Sequence, residues 1–213
     1  MSARDFVLAN TKLLAVPLVP EICLHLAEES LPIWEKSERE LEASNIPPPY
    51  WAFAWAGGQA LARYILDHAS LVAGRHVLDL GSGSGLAAIA AAKARAATVA
   101  AAEIDALAVA AITLNAEANG VTVMTIERDL LAAAQGSAEV LLVGDLFYER
   151  ALAERTLAYC EQAQARRVLV LVGDPQRSYF PRGRFEPLAE YSVPVTRELE
   201  DAEIKRTAVW RLA

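Results

Sequence analysis

Cysteine is scarce in this sequence, which has two cysteines among 213 residues. Cys23 and Cys160 lie far apart without the spacing of a metal site, so we expect two core thiols and neither a structural metal nor a disulfide framework. The sequence also has no apolar run of membrane-spanning length and no apolar core typical of a signal peptide. These absences favour a reducing, cytoplasmic setting and predict no membrane partner.

Basic residues are outnumbered by acidic ones, 20 against 27, and the formal net charge is −7. This balance argues against a nonspecific nucleic-acid binder, which needs a basic face, and it suits a basic protein partner. The three histidines, His25, His68 and His76, stand in no pattern that indicates catalysis. With 54% hydrophobic residues, the length predicts one α/β domain, which we expect to be monomeric and without a second catalytic domain.

The informative stretch is His76–Gly85, a short apolar run that breaks into alternating glycines at Gly81, Gly83 and Gly85. An apolar run, a glycine loop and a helix-forming stretch predict strand, tight turn and helix, with unpaired N–H groups offered to a ligand. Asp79 lies inside the end of the strand, where its short carboxylate orders the loop or meets a cationic ligand group. A sulfonium amino acid fits this position better than a pyrophosphate.

Two other interpretations of the loop stay open. The stretch Gly83–Ala88 also satisfies the G-x-G-x-x-A pattern of dinucleotide sites, which keeps NAD as a candidate cofactor. A glycine-rich turn without a ligand is the other interpretation, although three alternating glycines are costly unless something needs the space.

Predicted strands and helices alternate along most of the chain. We expect helices at Ala60–His68, Leu86–Ala94, Ala106–Asn119 and Arg150–Gln164, and strands at His76–Leu80, Thr98–Ile104, Val121–Arg128, Glu139–Leu146, Arg167–Val172, Phe185–Val195 and Ile204–Leu212. No crossover helix separates the last two strands, so they pair as an antiparallel hairpin. This outline predicts an α/β, Rossmann-like seven-stranded methyltransferase sheet, whereas a dinucleotide dehydrogenase ordinarily needs a further substrate domain.

Acidic residues end several of the predicted strands. Glu103 lies 18 residues beyond Gly85, the separation at which a carboxylate reaches the ribose hydroxyls of an adenosine ligand. We favour Glu103 for that role, while Asp105 can instead cap the next helix. Asp129 and Asp145 end the following two strands, and polar strand ends at the switch point of such a sheet are where function concentrates.

We divide the chain into an N-terminal helical and aromatic cap, residues 1–56, and a catalytic domain, residues 57–213. Within the cap, proline breaks precede a predicted amphipathic helix, Glu21–Leu31. Trp34 and the charged run Glu35–Glu42 fit a surface helix edge or a substrate contact.

An aromatic block closes the cap. The proline run Pro47–Pro49 is predicted to be extended and delivers Tyr50–Trp55 directly ahead of Gly57 and Gly58. Such a block is unusual in a chain with 7% aromatic residues. It fits a hydrophobic plug for the sheet, a wall of the cofactor and substrate pocket, or both, because flat rings pack on a purine or around a cationic carbon.

These motifs resemble known families. Through Leu78–Gly85 and the acidic strand ends, the chain resembles the class I S-adenosylmethionine-dependent methyltransferases over nearly its whole length. Through Pro48–Trp55, Gly57-Gly58 and Asp145-Leu146-Phe147-Tyr148, it is similar to the protein lysine methyltransferases that modify the electron transfer flavoprotein β subunit. The Asp-x-x-Tyr pattern is shared by a wider group of protein lysine methyltransferases, so it supports the class and not the substrate.

The resemblance implies a role for each candidate residue. The residues implied to bind S-adenosylmethionine are Asp79, Gly81, Gly83 and Gly85 at its methionine end, Glu103 at its ribose, Asp129 at its adenine amino group, and Trp55 along the pocket. Asp145 and Tyr148 are implied to face the incoming lysine. Ala56 stands where relatives often have proline, and Glu103 where aspartate is more common, but both departures keep the functional groups.

The predicted function is therefore methyl transfer from S-adenosylmethionine to lysine amines. For the substrate protein, the resemblance implies the electron transfer flavoprotein β subunit, and ribosomal proteins are the rival. Lysine arrives as ammonium, since its reference pKa is about 10.4, and Asp145 or Tyr148 attracts and orients it. Asp145 can instead cap the helix that follows Tyr148. An NAD-dependent oxidoreductase and a non-catalytic adenosine-ligand sensor are the alternatives from other classes.

Overall fold

The chain folds around a mixed β-sheet with helices on both faces, as the alternating pattern predicts. The computed structural model describes residues 1–27, 48–133, 136–196 and 202–213. The helices are α1 (Ala3–Asn10), α2 (Ala56–Asp67), α3 (Leu86–Lys93), α4 (Ala106–Ala118) and α5 (Arg150–Ala165). The strands are β1 (Lys12–Val16), β2 (Val19–Leu26), β3 (His76–Leu80), β4 (Thr98–Glu103), β5 (Met124–Glu127), β6 (Val140–Gly144), β7 (Leu169–Asp174), β8 (Phe185–Pro194) and β9 (Ile204–Leu212).

The seven strands of the main sheet lie in the order β5-β4-β3-β6-β7-β9-β8. The first five of these are mutually parallel, and β9 runs antiparallel to both β7 and β8. The predicted C-terminal hairpin and the seven-stranded methyltransferase sheet are thereby confirmed. After β5 the chain returns past β3 to form β6, so the order of strands reverses between β3 and β6. Ligands of open α/β sheets bind at the carboxyl ends of strands beside such a switch point.

Successive side chains of the central strands pack into two hydrophobic cores, one on each face of the sheet. Val77 of β3 and Leu142 of β6 pack with α2 and α3 on one face of the sheet. Leu78 and Leu141, one position away, pack with α5 on the other face. Because both faces are covered, these strands are apolar on both sides, which explains why they are continuous apolar runs in the sequence.

Helix α2 lies unusually close to the sheet. A Cβ atom on Gly173 of β7 would overlap the backbone of Gly57, and a Cβ on Gly57 would overlap the carbonyl oxygen of Gly173. The sequence predicted that this helix begins at Ala60, but α2 begins at Ala56 and includes both glycines of its first turn. This close packing places the N-terminus of α2 beside the carboxyl ends of β6 and β7.

The predicted helix Glu21–Leu31 is wrong over its described part. Strand β2 pairs there with β1 in an antiparallel hairpin. Ile22, Leu24 and Leu26 are buried and alternate with more exposed residues, which is the period of a strand and not of a helix. Residues 28–31, Trp34, the run Glu35–Glu42 and Pro47 lie outside the described residues.

The aromatic block follows a turn instead of the predicted extended run. Pro49 has a ψ of 55°, and the Tyr50 N–H donates to the carbonyl oxygen of Pro48 at 2.7 Å, so the chain reverses before a short 3₁₀ helix, Tyr50–Ala52. Trp51 and Phe53 are buried against α4. Within the described residues, no helix is long and apolar enough to cross a membrane.

Candidate active site

A cavity of about 390 Å³ opens at the carboxyl ends of β3, β4 and β6, beside the switch point of the sheet. Its floor is the loop after β3, and its far wall is the aromatic block. Eight predicted site residues line it, namely Trp55, Asp79, Gly81, Gly83, Glu103, Asp129, Asp145 and Tyr148. Gly85 does not appear in its lining; a Cβ there would face Ile112 of α4, so this glycine serves the packing of the turn.

The glycine loop has the backbone conformation that the sequence indicates. Gly81 and Gly83 have φ angles of 61° and 55°, in the left-handed region that favours glycine. Apart from Gly83 itself and its two chain neighbours, no heavy atom of the described residues lies within 4 Å of the position that a Cβ on Gly83 would take. The loop therefore presents bare backbone to the cavity at Gly83.

Asp79 is 2% exposed and orders this loop. Its Oδ2 accepts hydrogen bonds from the Ser82 hydroxyl at 2.5 Å and from the Ala88 N–H, near the start of α3, at 3.1 Å. Burial, together with the charge of nearby Glu103 and opposed by these hydrogen bonds, raises the pKa of Asp79 to about 7. A cationic group placed beside Asp79 would favour its ionised form.

Glu103, at the end of β4, also holds the loop. Its Oε1 accepts from the Gly83 N–H at 2.7 Å, and its Oε2 accepts from the Ile104 N–H at 2.9 Å. Burial raises the pKa of Glu103 above its ordinary value. Asp105 instead caps α4, because its side chain accepts from the Leu107 N–H at 2.8 Å, as one of the two interpretations expected.

Asp129 follows β5 and lines the cavity near the carboxyl end of that strand. Its Oδ1 accepts from the Leu131 N–H at 2.9 Å, and its Oδ2 accepts from the Arg155 guanidinium at 2.5 Å. Arg155 comes from α5, so a helix that follows β6 in sequence closes this end of the cavity.

Asp145 directly follows β6 in a left-handed conformation, with φ of 57°. Its Oδ2 accepts from the Gly58 N–H in the first turn of α2 at 3.0 Å. Its Oδ1 accepts from Nε and Nη2 of Arg177 at 3.0 and 2.7 Å. The alternative that Asp145 caps the helix after Tyr148 is wrong, since Glu149 occupies that N-cap; the carboxylate satisfies the N-terminus of α2 instead.

Tyr148 is 42% exposed, and its ring lies 5.6 Å from the ring of Tyr50, measured between centroids. Burial, together with Tyr50, Glu103 and Glu149, raises the pKa of the Tyr148 phenol to about 12. The phenol therefore stays protonated at neutral pH, where it donates or accepts a hydrogen bond but is not an anion.

Trp55 connects the aromatic block to the acidic end of β6. Its indole N–H donates to the Tyr50 carbonyl oxygen at 2.8 Å, and its ring lies at an angle to that of Phe53. The Arg177 guanidinium lies 5.6 Å from the centroid of the Trp55 ring. The block is thus both plug and wall, because Trp51 and Phe53 are buried in the core and also line the cavity together with Trp55.

Comparison with known proteins places this geometry in a family. Residues 59–143 match the family model described as ribosomal protein L11 methyltransferase (PrmA). The electron transfer flavoprotein beta subunit lysine methyltransferase of Rattus norvegicus is 38% identical over 204 residues, covering 91% of this chain and 77% of the relative. The chain belongs to this lysine methyltransferase family.

Two further similarities agree with that membership. The family's relative from Danio rerio is 36% identical and covers 98% of this chain and 82% of its own length. The crystal structure of magnesium protoporphyrin IX methyltransferase from Synechocystis PCC 6803, with S-adenosylmethionine bound, superposes with a TM-score of 0.54 at 14% identity. It covers 88% of this chain and 87% of its own, and this likeness shows the fold alone. The fold and family are those of a protein-lysine methyltransferase.

Two arginines of this family member's cavity were missed by the sequence analysis. Arg155 pairs with Asp129, and Arg177 pairs with Asp145. The strand Arg167–Val172 was predicted, but Arg177 lies in the loop beyond it. The available signal was the excess of carboxylates at the strand ends, which need cationic partners when they are partly buried.

Proposed function

We propose that the chain transfers a methyl group from S-adenosylmethionine to a lysine ε-amine of the electron transfer flavoprotein β subunit. The observation that carries this proposal is the family membership, since the rat and zebrafish relatives are named for this substrate. The cavity supports it, because carboxylates from the ends of four strands and an aromatic wall line one space of about 390 Å³.

The residues present fit S-adenosylmethionine. Asp79, Gly81 and Gly83 would hold the methionine end, because Gly83 presents backbone without a side chain and Asp79 supplies a carboxylate for the amino group. Glu103 would accept hydrogen bonds from the ribose hydroxyls, and Asp129 would accept one from the adenine amino group. Gly85 contributes by holding the turn against α4.

When bound, S-adenosylmethionine supplies a methyl group on a sulfonium, which leaves S-adenosylhomocysteine after transfer. The chain's own residues hold the amine in line with that methyl group and exclude water. Asp145 attracts the incoming ammonium, and the protonated Tyr148 hydroxyl orients it from the exposed side of the cavity. The ammonium loses its proton to water before its nitrogen lone pair attacks.

Ribosomal proteins are the second candidate substrate, because the matching family model is that of ribosomal protein L11 methyltransferase. That match ends at residue 143, before Asp145 and Tyr148. It therefore covers the proposed cofactor residues from Asp79 to Asp129 and leaves out the proposed lysine-binding residues. The electron transfer flavoprotein relatives match over nearly the whole chain and are favoured for this reason.

Cofactor choice is tested by calorimetric titration. We expect S-adenosylmethionine to bind and NAD not to bind, and we expect affinity to rise with pH through about 7, because ionised Asp79 meets the cationic cofactor. The affinity should fall again above about pH 8, where an α-amino group loses its charge. In Asp79→Asn, the affinity for S-adenosylmethionine should no longer rise with pH through about 7. Binding of NAD alone would end the methyltransferase proposal.

The substrate is tested with tritiated S-adenosylmethionine, purified electron transfer flavoprotein β subunit and, separately, purified ribosomal proteins. We expect label on lysine of the flavoprotein subunit, identified by mass spectrometry, and less label as salt rises, because an acidic enzyme attracts a basic segment through screened charges. Label on ribosomal proteins alone would move the substrate to the second candidate. Label on nucleic acid, or cofactor binding without any turnover, would refute the function.

A further inference from the structure

Arg177 lies in the cavity between Asp145, which we assign to the substrate lysine, and Trp55, which we assign to the cofactor pocket. Its guanidinium donates to Asp145 Oδ1 through two nitrogens and lies over the Trp55 ring. Its side chain is 18% exposed, and its own backbone N–H donates to Asp174 Oδ1 at 2.7 Å, which anchors it at the end of β7. A permanently charged group is thus fixed beside the carboxylate that we assign to the substrate amine.

The positive charge of Arg177 bears on methyl transfer through the protonation of the substrate lysine. Lysine attacks only as the neutral amine, whereas an isolated carboxylate stabilises the ammonium form and opposes loss of its proton. A guanidinium keeps its proton at every pH at which the enzyme works. The positive charge of Arg177 therefore offsets the negative charge of Asp145 throughout. A neighbouring cation activates nucleophilic lysines in other enzymes by the same electrostatic effect.

We propose that Arg177 keeps the substrate lysine in its neutral, nucleophilic form while Asp145 orients it. This inference rests on the proposed lysine methyltransferase function and names the residue that controls the protonation of its substrate. The proton leaves to water, the nitrogen lone pair forms the new N–C bond, and the electron pair of the broken C–S bond stays on sulfur. Arg177 is a positioning and electrostatic residue and takes no proton itself.

The charged groups around Arg177 come from several elements. Asp145 follows β6, Asp174 ends β7, Glu103 ends β4, and the phenols of Tyr148 and Tyr50 face the same cavity. Asp174 is fully buried, and burial followed by the charge of Asp145 raises its pKa to about 7. Asp174 is therefore incompletely ionised near neutral pH, so Asp145 is the main counter-charge of Arg177.

The test is the single-turnover rate of methyl transfer to saturating flavoprotein β subunit, measured from about pH 6.5 to pH 9.5, since such a rate reports groups in the bound complex. We expect Arg177→Met to move the midpoint of the rising limb upward by about one pH unit. The rate should then be about tenfold lower near neutral pH and should approach the wild-type rate at the alkaline end. Arg177→Lys, which keeps a cation, should lie between the two.

Two further variants sharpen this test. Asp174→Asn removes the second acidic neighbour and should move the midpoint slightly downward, opposite to Arg177→Met. Arg150→Met removes an arginine that also lies over an aromatic ring, Tyr179, but outside the cavity lining, and should leave the midpoint unchanged. Melting temperature and cofactor affinity are measured for each variant, and Arg177→Lys carries the test if Arg177→Met does not fold.

The outcomes separate the inference from other roles of Arg177. A rate loss that is equal at every pH, with no rescue by lysine, means that Arg177 only joins two loops and overturns the inference. A lower KM with an unchanged midpoint means that Arg177 competes with substrate lysine for Asp145 and also overturns it. If wild-type enzyme methylates no lysine, the proposed function itself has failed, which is a distinct result.

Discussion

Asp145→Asn should lower the rate of methyl transfer by about 10²-fold or more while S-adenosylmethionine affinity changes by less than about threefold. The carboxylate is held by hydrogen bonds from Gly58 and Arg177, and none of the residues assigned to the methionine, ribose or adenine is among these two partners. Asparagine keeps the size of the side chain and tolerates the left-handed backbone at this position. The loss of rate therefore results from removal of the negative charge and not from a changed backbone conformation.

The measurement pairs single-turnover kinetics with calorimetric titration of the cofactor. Asp67→Asn is a matched control, because Asp67 also pairs with an arginine, Arg63, but lies at the far end of α2 on the surface. We expect that variant to keep the wild-type rate. A parallel loss of cofactor affinity in Asp145→Asn would assign Asp145 to the cofactor, and an unchanged rate would remove it from the mechanism.

Gly173→Ala should destabilise the protein by roughly 3 kcal/mol, which corresponds to a fall in Tm of about 10 °C for a chain of this size. The new Cβ would overlap backbone atoms of Gly57 and the Cβ of Leu61, none of which can rotate away. Helix α2 must then move off the sheet, and it carries the Gly58 N–H that binds Asp145. Methyl transfer should therefore fall together with stability.

Thermal unfolding monitored by circular dichroism checks this expectation. Gly183→Ala is the control, because no heavy atom lies within 4 Å of the position that its Cβ would take, and its φ is not in the left-handed region. A Tm within about 2 °C of wild type is expected there. An equally small change for Gly173→Ala would show that the helix and sheet are not packed as closely as described.

The sequence predicts the sheet well because its central strands are buried on both faces and are bounded by glycines and acids. Strand β2 was predicted as a helix because its short sequence fits both the 3.6-residue period of a helix and the two-residue period of a strand. Only the alternation of Ile22, Leu24 and Leu26 distinguishes the two. The start of α2 was placed late because glycine usually weakens a helix. Close contact with Gly173 overrides that preference at Gly57.

The candidate site was predictable where a residue lies at a strand end. Parallel strands bring their carboxyl ends to one edge, so Asp79, Glu103 and Asp145 had to lie near one another. Arg177 was not predictable in this way, because its position depends on the path of the loop after β7 and on its contact with Trp55. Contacts between distant loops carry no local sequence signature.

The outer strand β8 has a consequence for behaviour at high concentration. It pairs with β9 on one side, contains Pro187 and Pro194, and has an irregular register between Pro187 and Ala189. Each proline removes a donor from the strand. A strand from a second copy finds no regular row of donors there, so this edge resists edge-to-edge aggregation.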